Sequence, residues 1–389
     1  LKPSLNGDTF KHLAGVDSLI RLWIIEGMKN HEIFVSAPGR ICLFGEHQDY
    51  FGLPIIAAAI NLRIFIRGTP RTDKRIRVSL PDIGEEEEFS LEGELTYQQE
   101  RDYLKSAINV LRRKGIRFPF GWDCNLYGTI PINAGTSSSS ALVIAWIKFL
   151  LETVEDKTLN IPETIAELGF LTEVAEFNEP GGKMDHYASS LGGIVNVSFE
   201  EELKATKLKN PLKRFVLANS LQKKDTTGML GYIKKHVLDG MQIIQKNIRG
   251  FNLKGPLGLK EQQEIDKLPA DNKRLLKGTL MTRDLTAKGK ILFESKVFDH
   301  KKFGQLLTQQ HRVLRDYIQT STPKIDKMIE EALNAGALGA KINGSGGGGC
   351  MFAYTPEKTE QVAEAIRKTG SEVSIIHVDE GARIEPAPL

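Results

Sequence analysis

The sequence predicts an α+β protein of two domains, on three observations. The chain has 389 residues, and at about 100–200 residues per domain that length suggests two units, each able to bury its own core. Its apolar residues change period, from helical spacing to β-branched, strand-like runs and back. Between 323 and 378 the pattern runs helix, strand, helix, strand, punctuated by Pro and Gly.

Near the start, Leu19, Leu22, Ile25 and Met28 recur every three residues, which predicts a helix over Val16–Met28 ending at the polar Lys29-Asn30 turn. Ile33–Val35 and Ile41–Phe44 read as strands on either side of Ala37-Pro38-Gly39, and Leu53–Ile66 is an apolar, β-branched stretch suited to buried strands. The Gly84–Glu88 run reads as a solvated edge or loop. A strand is expected between Asp123 and Ile132. It leads into Ala134–Ala141, a serine run ahead of the apolar Leu142–Leu151, which looks like a helix N-terminus. Pro162 suits the first turn of a second helix, reaching to about Phe177 and broken by Pro180-Gly181-Gly182. Asp225–Ile248 has helical spacing through Leu230, Ile233, Val237, Met241 and Ile244. The C-terminal part predicts a helix over Pro323–Asn334, a glycine loop, a strand over Cys350–Tyr354, a helix from Pro356 to Gly370 and a strand over Glu372–Val378. Lys204–Phe215, rich in Lys, Asn and Pro, marks the boundary, giving domains 1–205 and 206–389.

Composition excludes several classes. With 41% hydrophobic and 26% charged residues the chain is globular, not disordered, collagenous or disulfide-built. Lys and Arg number 52 against 49 Asp and Glu, a net +3, so no field attracts nucleic acid or an anionic membrane. Cys42, Cys124 and Cys350 are far apart, with no CxxC and no His at ligand spacing; neither a disulfide framework nor a zinc site is expected, and a cytoplasmic location is. No apolar run has the length of a membrane span, and the first 28 residues lack the order of a signal peptide. The chain opens on Leu1, so a few residues are expected to precede it. Fifteen of its 36 glycines fall in residues 39–52, 131–141, 181–193 and 336–349, and these segments carry the candidate chemistry.

Gly344–Gly349 formally satisfies GxGxxG, but an apolar strand follows it and the chain then nears its end, whereas a dinucleotide-binding motif follows a strand, opens a helix and has an acidic residue about 20 positions on. That context refuses a nicotinamide oxidoreductase. Consecutive glycines still suit either close backbone approach to a ligand or a tight turn. The Gly135–Ser140 turn suits an anion, because the first N–H groups of a helix lack internal partners and its dipole is positive there; serine hydroxyls can also ligate Mg²⁺. A plain cap is the alternative. Arg40, Glu46, His47 and Asp49 sit between apolar runs, where they need a ligand or one another, and a sugar's hydroxyls suit the carboxylates. Asp185, just after Gly181-Gly182, is a general base or a cap.

Together these segments resemble the GHMP kinase superfamily, named for galactokinase, homoserine kinase, mevalonate kinase and phosphomevalonate kinase. Ala37–Tyr50 is similar to the galactokinase signature, which usually ends Gly-Glu-His-Thr-Asp-Tyr, with Gln48 in place of Thr. Pro131–Ala141 resembles the family's phosphate loop, with Thr136 where Leu is usual, and Lys341–Cys350 resembles its glycine-rich third motif. Order and spacing agree over residues 33–354. The resemblance implies a ribosomal-protein-S5-like N-terminal domain, a ferredoxin-like C-terminal domain and an active site between them. It also implies ATP phosphates on Gly135, Thr136, Ser137, Ser138, Ser139 and Ser140, with Gly346 and Gly347 contributing from the third motif. Mg²⁺ would be held by Ser139 and by a glutamate, Glu176 in preference to Glu173. Asp185 would be the base and Arg40 its orienting cation.

The substrate implied is galactose or a related monosaccharide phosphorylated at C1, met by Glu46, His47, Asp49 and, in a comparable region, Tyr232. Galactokinases usually carry Cys-Gly-Ile-Met-Asp-Gln where this chain has Gly182-Lys183-Met184-Asp185-His186. Lys183 therefore points either to an acidic sugar such as a uronic acid or to ATP phosphate or solvent. Arabinose or another sugar, and a catalytically silent sugar and ATP sensor, stand as alternatives. The oligomeric state is left open, with a monomer slightly favoured.

Overall fold

The computed structural model describes residues 32–131, 134–223 and 226–386, and the helix predicted over Val16–Met28 lies outside them. Two sheets organise the rest. The first is built on β1 (Ile33–Phe44) and β2 (Ile55–Pro70), which pair antiparallel along their length. The two short strands predicted around Ala37-Pro38-Gly39 are one strand, with register shifts between Pro38 and Arg40 and between Cys42 and Phe44. Pro38 has no N–H for a ladder bond, so pairing slips there.

Beyond β2 the sheet continues through β5 (Trp122–Gly128) and β3 (Arg75–Leu80) to β4 (Glu85–Ser90), with β3 and β5 parallel. The glutamate run thus forms an edge strand, and Glu88 faces Arg75 and Arg77 across the ladder. Charges on an edge suppress pairing with other chains. Along the same edge as β5, but nearer its start, β2 pairs through Ile55–Ala58 with β6 (Ile194–Phe199), which pairs with β7 (Leu203–Leu208).

Helices α1 (Tyr103–Arg113), α2 (Ser138–Thr153) and α3 (Pro162–Phe170) bury their apolar faces on this sheet, where Trp146, Phe149 and Leu150 pack with Val35, Ile66 and Leu126. A shorter helix, α4 (Met184–Leu191), lies against β1 and β2 through Met184, Tyr187 and Ala188.

The second sheet has the order β11 (Glu372–Ile376), β8 (Phe215–Asn219), β10 (Cys350–Tyr354), β9 (Gly339–Ile342), all antiparallel. Its period-two alternation serves two cores. Val216, Ala218, Met351 and Ala353 face α5 (Thr226–Gln245), α7 (Ala270–Glu294), α9 (Pro323–Asn334) and α10 (Thr359–Arg367). Phe215, Leu217, Phe352 and Tyr354 instead join Ile41, Leu43, Phe44 and Ile56 of the first sheet and Phe293, Phe303 and Leu307 from α7 and α8 (His300–Val313). The two halves therefore share a hydrophobic core rather than a hydrated seam.

α9 and β10 have the predicted limits, and Thr322 caps α9 through Ile325 N–H. Residues 259–313, for which no element is drawn above, form α6 (Leu259–Asp266), α7 and α8. The buried face of α7 carries Thr279, Thr282, Thr286, Gly278 and Gly289 beside its leucines. This dilutes the apolar stripe on which periodicity depends.

The boundary at 205 falls inside β7, so the passage to the second sheet is 209–214. The end of the chain also returns: β12 (Arg383–Ile384) pairs with β1. Buried Arg63 holds this tail, donating to Ser36 Oγ (2.6 Å), Asp379 Oδ2 (2.8 Å), Glu380 O (2.9 Å) and Gly381 O (2.6 Å). Removing one partner of a buried charge network costs about 3–5 kcal/mol. Arg63→Met should therefore lower stability by about that amount in urea unfolding, with faster amide exchange concentrated in 379–386.

Candidate active site

Four sequence segments converge on one pocket between the halves. Its wall includes Arg40 on β1, Glu46, His47 and Asp49 after it, the Gly135 and Ser137–Ser140 turn, Gly181, Gly182, Asp185 and His186 at α4, and Gly344 and Ser345 of the glycine loop. The serine turn opens α2, so its first N–H groups have no intrahelical acceptor and the positive end of the helix dipole faces the pocket. Its carbonyls, by contrast, are all turned inward. Gly135 O accepts from Arg40 Nη1 (2.6 Å) and Asn343 Nδ2 (2.9 Å), Thr136 O from Arg40 N–H (3.1 Å), and Ala134 O from Cys350 N–H (2.7 Å). Gly344 permits this closeness: at φ +72° a Cβ would lie 2.7 Å from Gly135 O.

Arg40 is 4% exposed and grips Asp185 with both limbs of its guanidinium, Nε to Oδ1 at 2.7 Å and Nη2 to Oδ2 at 2.8 Å. Burial alone would raise the Asp185 pKa. The Arg40 charge and the Ser137 hydroxyl outweigh it and hold the carboxyl below the usual range.

A second group of carboxylates lies beside the start of α4. Glu46 is buried against the ammonium of Lys341, which also donates to Cys42 O at 2.9 Å, while Glu46 Oε2 has no hydrogen-bond partner among the described residues. His47 Nε2 lies 3.1 Å from Ser345 O and its Nδ1 3.3 Å from the Tyr50 hydroxyl. Asp49 accepts from Met184 N–H at 3.0 Å; burial pushes its pKa up, and the nearby Asp185 charge adds to that. Burial also pushes the Cys42 thiol to about 12, so it stays protonated behind the site.

The structure corrects several expectations. After α3 the helix continues as a π-turn over Leu171–Ala175, closed by Glu176 N–H to Leu171 O at 3.0 Å. The widened i→i+5 turn separates residues three apart onto different faces. Glu173 enters the pocket, whereas Glu176 points away to the Tyr97 hydroxyl (2.5 Å) and Arg113. Lys183 is withdrawn from the site by Glu167, whose two oxygens both lie 2.7 Å from its ammonium, and rests over the Phe170 ring. Tyr232 is 42% exposed and its ring packs at a tilt against His236. It lies two residues beyond pocket-lining Leu230, more than half a helical turn round. Gly346 and Gly347 turn away toward Thr320, whose carbonyl accepts from Gly347 N–H at 2.7 Å, and buried Thr136 contributes only its backbone.

Other lining residues escaped motif reading: Arg101, Tyr103 and Glu179. Arg101 pairs with Glu179 (2.6 Å) and donates to Thr227 Oγ1 (2.8 Å). The signal available was local, since Leu104, Ala107, Ile108 and Leu111 mark α1 at helical spacing and so place Arg101 at its start.

Comparison with known proteins agrees with this geometry. Residues 102–193 match the model of the GHMP kinases N terminal domain, 290–372 that of the GHMP kinases C terminal, and 26–70 the galactokinase galactose-binding signature. The chain is 30% identical over 371 residues to a mevalonate kinase of Pyrococcus furiosus, covering 91% of this chain and 98% of the relative. It is also 30% identical over 362 residues to a galactokinase of Clostridium perfringens, covering 88% and 90%. Among solved structures, the galactokinase of Lactococcus lactis complexed with galactose superposes with a TM-score of 0.79 at 21% identity, covering 95% of this chain and all of that one.

Gly182 offers a direct check of the packing. A Cβ there would lie 1.9 Å from Asp49 Oδ2, while one at Gly181 would meet the Val174 side chain at 3.2 Å. Gly182→Ala should cost about 1–3 kcal/mol in urea unfolding, as overpacking does, and Gly181→Ala clearly less.

Proposed function

This chain belongs to the GHMP kinase family, and we propose that it transfers the γ-phosphoryl group of ATP to the anomeric (C1) hydroxyl of galactose or a related neutral monosaccharide, yielding the sugar 1-phosphate and ADP. A mevalonate kinase and a galactokinase are each 30% identical to this chain, over 98% and 90% of their own lengths, so family membership leaves the acceptor open. One observation favours the sugar. Among the described residues two arginines and no lysine line the pocket, against five carboxylates, and each arginine already faces one: Arg40 pairs with Asp185 and Arg101 with Glu179. An acidic acceptor would bring a further negative charge without a matching cation, at a high desolvation cost. A polyol brings donors, which Asp49 and the unpartnered oxygen of Glu46 can accept. The withdrawal of Lys183 onto Glu167 argues against a uronic acid in the same way. Retention of both Asp185 and Arg40 argues against a silent sensor.

In this reading the ATP phosphates rest on the start of α2, where unpaired N–H groups and serine hydroxyls supply donors and the helix dipole favours negative charge. Asp185 receives the acceptor's proton. Its low pKa makes it a weak base toward a hydroxyl, so the proton moves late and positioning supplies most of the acceleration. Arg40 keeps the carboxylate in place and balances the charge that gathers near it.

Mg²⁺ fits the oxygen donors present. Burial would raise the Glu173 pKa, but the His186 ring and, to a smaller extent, the neighbouring Ser139 and Ser140 hydroxyls bring it below the usual range. Glu173 and Ser139 would hold the ion, which when bound neutralises phosphate charge.

Asp185→Asn should retain ATP affinity while kcat falls by about 10²–10⁴; near-normal turnover would remove Asp185 from the reaction. A coupled ADP-release assay over galactose, glucose, arabinose, fucose, galacturonate, glucuronate and mevalonate tests the substrate class. Preferential turnover of a neutral sugar is the expected result, and preference for mevalonate or a uronate would overturn it. Glu173→Gln should raise the Mg²⁺ concentration needed for half-maximal rate by about 10–100-fold, with Glu176→Gln close to the parent.

A further inference from the structure

His186 is the residue next to Asp185 and occupies the place where galactokinases usually carry Gln. It is 1% exposed, and its Nε2 lies 2.8 Å from Glu173 Oε2. Two neighbours fix the ring. Phe170 meets it edge to face at 6.1 Å, and Gly169 lies so close that a Cβ there would be 3.0 Å from His186 Cδ2. Nδ1 has no hydrogen-bond partner among the described residues. A lone pair at Nε2 would oppose the carboxylate oxygen, so the proton sits on Nε2 and is donated to Glu173.

From this contact we infer that His186 is a positioning residue, whose Nε2–H fixes the rotamer of the Glu173 carboxylate so that its other oxygen is presented to the divalent cation beside Ser139. The inference rests on the assignment of Glu173 as a metal ligand above. The physical need for it lies in the π-turn. Glu173 leaves a locally widened helix, and neither Lys nor Arg pairs with it among the described residues, so the imidazole is what orients it. One turn of α4 thereby sets both halves of the chemistry, Asp185 held by Arg40 and Glu173 held by His186.

Mn²⁺ binding to the complex with a non-hydrolysable ATP analogue, followed by electron paramagnetic resonance, tests this without turnover. His186→Leu should weaken Mn²⁺ by about 10–100-fold, the usual effect of losing an outer-shell partner. His186→Gln, whose amide can still donate, should recover most of the affinity, and His186→Asn, whose amide falls short, should not; this pair carries the test if the Leu variant fails to fold. Parent-like Mn²⁺ affinity in Leu and Asn variants, with Glu173→Gln weakened, would overturn the role of His186 and leave the kinase reading intact. Parent-like affinity in Glu173→Gln would overturn both this role and the Glu173 assignment.

Discussion

A single buried guanidinium joins the parts of this molecule that must act together. Arg40 extends from β1 just past the register shift at Pro38. It holds both oxygens of Asp185 on α4 and ties down the Gly135 carbonyl of the serine turn, while its own N–H fixes Thr136 O. Because a guanidinium is planar and always charged, these bonds define directions as well as distances. The proposed base and the turn proposed to take phosphate are therefore positioned by one side chain on β1, the neighbour of β2 in the first sheet.

The rest of the pocket is arranged so that charge is balanced in pairs drawn from distant segments. Glu46 of the first half meets Lys341 of the second, and Arg101 at the start of α1 meets Glu179 in the turn before α4. Of the two, the Glu46–Lys341 pair joins the halves, so that side of the pocket forms as they fold against their shared core. Such pairs contribute little net stability, since desolvation offsets attraction, but unpaired members would be costly. What they leave is a surface rich in hydrogen-bond acceptors facing a helix N-terminus rich in donors. That asymmetry suits a polyhydroxylated acceptor on one side and phosphates on the other.

Much of this was legible in the chain because glycine and serine requirements are local. Gly135, Gly344 and Gly346 to Gly349 adopt positive φ, and Gly182 leaves room for Asp49, so these glycine-marked segments could be picked out directly. Strands and helices with clean periodicity, such as α9 and β10, were readable for the same reason. Helices α7 and α8 were not, because Thr and Gly in α7, and Gly304, Gln310 and His311 in α8, share the buried faces with Leu and Phe, and that mixture becomes sensible only once the neighbouring helix is in place.

By itself the sequence determined the fold class and the kinase family, and it singled out Asp185, Arg40 and the Gly135–Ser140 turn as candidates that the fold brings together. All of these follow from contiguous motifs. The phase of each side chain was a different matter. Glu173 rather than Glu176, Leu230 rather than Tyr232, and Lys183 turned onto Glu167 rather than into the pocket were decided by a π-turn, a helix rotation and an ion pair. Those depend on which elements pack together, and a linear pattern does not record the rotation of a helix about its own axis when tertiary contacts alter its pitch.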